Sequence, residues 1–305
     1  MSTNFSKKLL LDTDIGSDID DAVALAYLLS QPHCELVGIT TVSGEAEKRA
    51  MLASILCRKV GKDIPIYPGI ENPLVISQKQ PNAQHASKLV NWDHSNSFPR
   101  GKAIEFLRDT IHKNPGEITL LGIGPLTNIA ILFSLDPEIP SLLKELVLMC
   151  GVFTNRVIGP GPCDAREWNA QVDPHAAAIV YSAPVKIHRS IGLDVTCQVQ
   201  MDAQEVKKKF TSPILQPVAD FAEVWFSQMK EPITFHDPLA AVTIFDDKVC
   251  EFEKGKVDIE LTSERLQGMT YWDYGESKEA KHEVATKVDK ERFFKEYFEV
   301  TSLIS

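Results

Sequence analysis

Five aspartates fall within ten residues near the start of the chain, in the run DTDIGSDIDDA that begins at Asp12. Carboxylates packed this closely repel one another and resist ionisation unless a cation sits among them. Calcium and magnesium are the natural partners, because both are hard and take oxygen ligands. Thiols and clustered imidazoles are missing from the run, which disfavours zinc. Acids of this kind could also only cap a helix and solvate a turn. Their number, and their place at the end of a strand, favour the cation. Asp12 is expected to brace the loop by accepting hydrogen bonds. Asp14, Asp20 and Asp21 are expected to converge from the strand end and the helix start, with Gly16 allowing the tight turn between them.

The elements that must position these acids follow in order. KKLLLDTD reads as an apolar strand over Lys8–Thr13, and DAVALAYLLS as an apolar helix opened by Asp20 and Asp21. Acids are favoured there by the exposed N–H groups of a helix N-terminus. A strand ELVGITTV and a helix EAEKRAMLASILCRKV come next, so the chain is β-α-β-α from its start. That order predicts an α/β fold, a mostly parallel open sheet flanked by helices. Ligands of such sheets bind at the C-terminal ends of the strands, where DTDIGSDIDDA lies. The segment from about 70 to 99 is rich in Pro, Asn, Gln and Ser, and reads as a long flexible loop of the kind that is often functional. The βα pattern resumes with KAIEFLRDTIHKN, ITLLGIG, PLTNIAILFSL and ELVLMC, then a Gly/Pro-rich loop, the helix DPHAAAIVYS and the strand VKIHRS. After about residue 196 the reading is a helical and strand annex within one domain spanning 1–305.

Composition sets outer limits. With 42 acidic and 32 basic residues the formal charge is -10, which repels nucleic acid backbones and anionic membranes while tolerating small ligands and metal cations. The six cysteines are scattered with no CxxC pair, so neither a zinc site nor a disulfide framework is expected, and a cytoplasmic setting is. Cys57 and Cys150 sit in apolar runs and are expected to be packed. No signal peptide or long apolar span is read. Several nucleotide and hydrolase motifs fail: Thr127 breaks a GxGxxG beginning at Gly122, and neither GxxxxGK[ST] nor GxSxG occurs.

Beyond the acidic run, the motifs GITTVSG (38–44), GPLTNIA (124–130), EWN (167–169), GLDVT (192–196) and HDP (236–238) occur in one order across about 230 residues. In these motifs the chain resembles the inosine/uridine-preferring nucleoside hydrolases. The resemblance implies calcium-dependent hydrolysis of the N-glycosidic bond of ribonucleosides, giving ribose and free base. It implies calcium held by Asp14, Asp21, Asp237 and the backbone carbonyl of Ile123. Asp20, Glu167 and Asn169 would bind ribose, and the protein would be a homodimer or homotetramer. Five departures stand out. Ser17-Asp18-Ile19 lengthens the acidic loop by two residues, Glu45 replaces an asparagine, Gly161 stands where another asparagine is expected, Cys197 replaces a histidine, and His85 matches the substrate loop only loosely.

Ribosyl hydrolysis passes through an oxocarbenium-like state that carboxylates stabilise. Asp14 is the expected base for the attacking water. His236 is the expected proton donor to the leaving base, since an imidazole titrates near ~6.5. Trp92, Trp168 and Phe235 are candidate stacking partners, and His85 a further candidate contact. Two alternatives remain open: a hydrolase of another N-ribosyl compound, and a non-catalytic ribose- or nucleoside-binding protein. Base preference is not fixed by these residues.

Overall fold

The computed structural model describes residues 6–153, 166–229, 232–275 and 281–304. Strands β1 (Lys7–Thr13), β2 (Cys34–Thr41), β3 (Ile66–Pro68), β4 (Ile118–Gly122), β5 (Glu145–Met149) and β6 (His188–Ile191) are joined through helices. A short antiparallel pair, β7 (Gln200–Met201) and β8 (Ile233–Thr234), stands apart. The remaining strands are β9 (Cys250–Ile259), β10 (Thr270–Tyr274) and β11 (His282–Val288). The main sheet runs β10-β9-β11-β6-β5-β4-β1-β2-β3. From β3 to β11 every pairing is parallel, and only β9 and β10 run against their neighbours. The late strands therefore extend the main sheet from β6, whereas sequence alone placed them in an annex.

Strand β1 explains how the sheet is held. Its side chains alternate between faces, so Leu9 and Leu11 enter one apolar cluster and Leu10 the other. Burial on both faces is the reason LLL (9–11) reads as a continuous apolar run. At β1 the strand order reverses, with β2 on one side and β4 on the other. Such a switch point opens a crevice beyond the strand ends. The helix Asp20–Ser30 is buried along its whole length and packs against the helix His236–Thr243. That contact brings the HDP motif to the acidic run across more than 200 residues of chain.

The segment between β3 and the helix Ala103–Lys113 carries a 3-10 helix, Gln84–Asn91. It is tied to the helix Leu215–Met229 through Asp220, which accepts from Lys88 Nζ (2.6 Å), Asn91 Nδ2 (2.8 Å) and Trp92 Nε1 (2.9 Å). A stretch that reads as an unstructured loop is thus an anchored wall. No helix among the described residues is long and apolar enough to cross a membrane.

Candidate active site

The crevice at the ends of β1 and β4 is a cavity of about 660 Å³. Asp14, Asp18, Asp20, Asp21 and Asp237 line one side, with Ile123, Glu167, Asn169 and His236 beside them. Trp168, Trp225, Gln80 and Leu193 form much of the rest.

Backbone geometry places the acids. Gly16 has φ +121°, and a Cβ there would stand 2.7 Å from Leu52 Cδ1, so the turn requires glycine. Gly124 lets β4's end approach closely, since its Cβ would lie 2.8 Å from Asp14 Oδ1. Asp12 braces the loop as expected: its Oδ1 accepts from Thr40 Oγ1 (2.5 Å) and Asn128 Nδ2 (2.7 Å). Asn128 is the asparagine of GPLTNIA, and its Oδ1 also accepts from Ile70 N at 3.0 Å. Burial nonetheless pushes the Asp12 carboxyl up to about 7.

One carboxylate oxygen from each of Asp20, Asp21 and Asp237 lies within 4.8 Å of the others, and all three residues are buried. Burial, the largest effect, and then neighbouring carboxylates push each well above its ordinary range. Three such groups in one place suit a divalent cation, which would offset both the desolvation and the repulsion. Ile123 lines the same cavity, and its backbone oxygen accepts from Asn169 Nδ2 at 3.0 Å. A carbonyl has a second lone pair, so this bond leaves it able to bind a cation.

The expected ligands Asp21 and Asp237 fall in this group together with Asp20. Asp20 joins the cation cluster, and its Oδ2 also accepts from Asp237 N at 3.2 Å. Asp14 stands at its edge: Gln80 Nε2 donates to its Oδ2, and burial raises it despite the nearby Arg49 guanidinium. Glu167 is first a helix cap, accepting from Asn169 N (2.6 Å), Ala170 N (3.0 Å) and Gly151 N (3.1 Å). The amide of Asn169 holds the carbonyls of Ile123 and Met149, both at 3.0 Å.

His236 Nδ1 lies 2.7 Å from Thr196 Oγ1, so the GLDVT segment orients the ring. Burial lowers its pKa to about 4. That value lies below the ordinary imidazole range on which the expected proton-donor role rests.

Three expected contacts are not among the residues that line the cavity. His85 is fully buried, stacks on Phe221 at 6.0 Å and does not reach the cavity. Trp92 is held by Asp220 with Lys59 Nζ 5.4 Å from its ring centre, also outside the cavity. Phe235, the third aromatic outside it, packs edge-on against Phe293, Phe294 and Tyr297 in the core. The tryptophans that do line the cavity are Trp168, which is 46% exposed, and Trp225. Trp225 was missed because its helix reads as an ordinary apolar stripe. Glu45 accepts from Ala83 N (2.9 Å) and pairs with Lys48 (2.5 Å). Gly161 lies outside the described residues.

Arg49 also went unread. Its buried guanidinium donates to the carbonyls of Gly44 (2.8 Å), Ile15 (3.3 Å), Asn82 (3.2 Å) and Asp14, and to Ser17 Oγ (3.0 Å). The available signal was a single basic residue on the apolar stripe of Ala46, Ala50 and Ala53.

A buried carboxylate cluster at a sheet's switch point, in a cavity that also holds Trp168 and Trp225, suits a divalent cation and a small ligand. Comparison with known proteins narrows this. The family model described as inosine-uridine preferring nucleoside hydrolase matches residues 9–295, and the chain belongs to that family. An inosine-uridine preferring nucleoside hydrolase of Leishmania major is 32% identical, over 94% of this chain and 95% of its own. The non-specific ribonucleoside hydrolase RihC of Escherichia coli is also 32% identical, over 97% and 99%. Among solved structures, the purine-preferring ribonucleoside hydrolase of Gardnerella vaginalis superposes with a TM-score of 0.83 at 25% identity, covering 97% of this chain and 98% of that one. The Asp20, Asp21 and Asp237 cluster matches the family's calcium site, and the chain is a calcium-dependent N-ribosyl hydrolase.

Proposed function

We propose that the chain cleaves ribonucleosides with Asp14 as base, a sugar subsite formed by the carboxylates with Asn169 and Glu167, and a permissive base subsite between Trp168 and Trp225. The observation that carries this reading is the meeting of both sets in one cavity. Calcium, when bound to Asp20, Asp21, Asp237 and the Ile123 carbonyl, supplies positive charge that orients ribose hydroxyls and water and makes that water more acidic. Asp14, at the edge of the cluster, accepts the water's proton. The surrounding carboxylates stabilise the positive charge that develops on the sugar. Neutral His236 offers a ring N–H as hydrogen-bond donor to the departing base. Stacking on tryptophan accepts any π-system, which supports a broad base range.

The test is a survey of inosine, uridine, other ribonucleosides and N-ribosyl compounds with calcium-loaded protein, assaying released ribose. Turnover of several bases at comparable kcat/KM supports the reading, and strict preference for one base rejects the permissive subsite. A homodimer or homotetramer is the assembly proposed from the resemblance. Among the described residues β10 is an edge strand, with Tyr271 and Tyr274 60% and 68% exposed, which supports self-association. Light scattering on the eluting protein distinguishes these assemblies from a monomer. Residence in the cytoplasm is proposed from the scattered spacing of the six cysteines, which form no CxxC pair. Cell fractionation checks it, and recovery outside the cytoplasm would reject it.

A further inference from the structure

Gln80 lies just before the 3-10 helix, is 7% exposed, and faces the cavity with both ends of its amide occupied. Its Nε2 donates to Asp14 Oδ2, and its Oε1 accepts from Trp168 Nε1 at 2.5 Å. Chemistry fixes which end faces which partner. An indole N–H can only donate and an ionised carboxylate can only accept. Trp168 therefore claims the amide oxygen and leaves the amide nitrogen to Asp14. The backbone is held too, since Gln80 O accepts from Ser43 Oγ (3.3 Å) and Gln80 N donates to Gln78 Oε1 (2.7 Å). Close packing adds to this: a Cβ on Gly44 would stand 2.4 Å from Pro81 O.

We propose that Gln80 is a positioning residue for Asp14, oriented in turn by Trp168, so that the aromatic half of the cavity sets the carboxylate that handles water. The proposal rests on the reading of Asp14 as base. It makes the Trp168 side chain serve two ends, its ring face toward the nucleobase and its N–H toward the water side. Fixing one oxygen of Asp14 leaves the other, beside Gly124, as the oxygen that can meet the water. A ligand that displaces the Trp168 ring would then disturb turnover without touching the acids.

The test uses the full, calcium-loaded chain with inosine and uridine as probes. Gln80→Met keeps the side chain's length but loses both hydrogen bonds, and Trp168→Phe keeps a ring but loses the N–H. Each variant is expected to lower kcat about tenfold or more with KM changed less than about threefold, the size expected for a hydrogen bond to a charged group. The double variant should be no slower than the slower single, because both break one chain of contacts. Two readouts stand apart from turnover. Calcium affinity measured by calorimetry without substrate should stay within about threefold, since Gln80 is not a ligand. The Trp168 indole N–H signal in a proton–nitrogen spectrum should move upfield in Gln80→Met. Wild-type kcat in Gln80→Met, additive losses in the double variant, or a large loss of calcium affinity would each overturn the proposal. If Gln80→Met does not fold, Trp168→Phe, at a half-exposed site, decides by the same kcat and calcium criteria. Asp14→Asn separates the two layers. Its retained activity would remove the base reading itself, whereas its inactivity beside a fully active Gln80→Met would remove only the role of Gln80.

Discussion

At the residue scale, the site's chemistry depends on where carboxylates are tight and where they are free. Asp20, Asp21 and Asp237 face one another, whereas Asp14 turns one oxygen to Gln80. Asp14→Asn should keep the fold and calcium binding but lower kcat by ~10²–10⁴-fold, because an amide cannot take the water's proton. Calorimetry of calcium binding and ribose release on the same sample check both halves of that statement. Sugar recognition should be strict for a related reason. A 2′-deoxynucleoside leaves a buried polar group without its partner, and a lost bond to a charged partner is worth roughly 1.5–3 kcal/mol. Its kcat/KM is therefore expected to be about tenfold lower or worse. Equal values for inosine and 2′-deoxyinosine would show that Asp20, Glu167 and Asn169 do not grip the sugar.

At the element scale, three pieces of chain are brought to one point: the loop after β1, the end of β4 and the helix His236–Thr243. Arg49 ties the first to the helix Ala46–Lys59 and to the segment at Asn82. Arg49→Met should strand several buried carbonyls, each costing ~1–3 kcal/mol if nothing replaces the bond. A fall in thermal midpoint and weaker calcium binding are expected together. A variant as stable as wild type would show that the loop holds itself. The sheet and the acidic run were legible because a strand buried on both faces leaves a continuous apolar pattern, and clustered acids have few structural uses. Arg49, Gln80 and Trp225 were not legible, since only tertiary packing turns them toward the loop or the cavity. His85 and Trp92 show the converse. In sequence they sit in a polar, proline-rich stretch that reads as open, yet His85 is buried against Phe221 and Trp92 is bound to Asp220. The strand β10, TYWDY, escaped notice because it is short and mostly exposed.

At the scale of the whole molecule, the unliganded acids work against folding near neutral pH. Asp20, Asp21 and Asp237 have folded pKa values above their unfolded value near ~3.9. Between those values the folded state binds more protons than the unfolded one. Calcium-free protein should therefore lose the contribution of these groups as pH rises through the folded pKa values, and regain it on acidification. Calcium competes with those protons and should raise the thermal midpoint more at pH 8 than at pH 5. Scanning calorimetry with chelator and with calcium at both pH values checks this, and an equal calcium effect at both would count against the cluster as the binding site. His85 contributes with the opposite sign. Burial lowers it to about 3, so the unfolded chain takes up its proton first and stability falls as pH drops below ~6.5.

The measurement that bears most directly on the whole account is ribose release from inosine and uridine by one protein sample, before chelation, after exhaustive chelation, and after calcium is restored. Activity that disappears on chelation and returns with calcium is the expected result. Undiminished hydrolysis by the chelated protein would contradict an N-ribosyl hydrolase built around Asp20, Asp21 and Asp237.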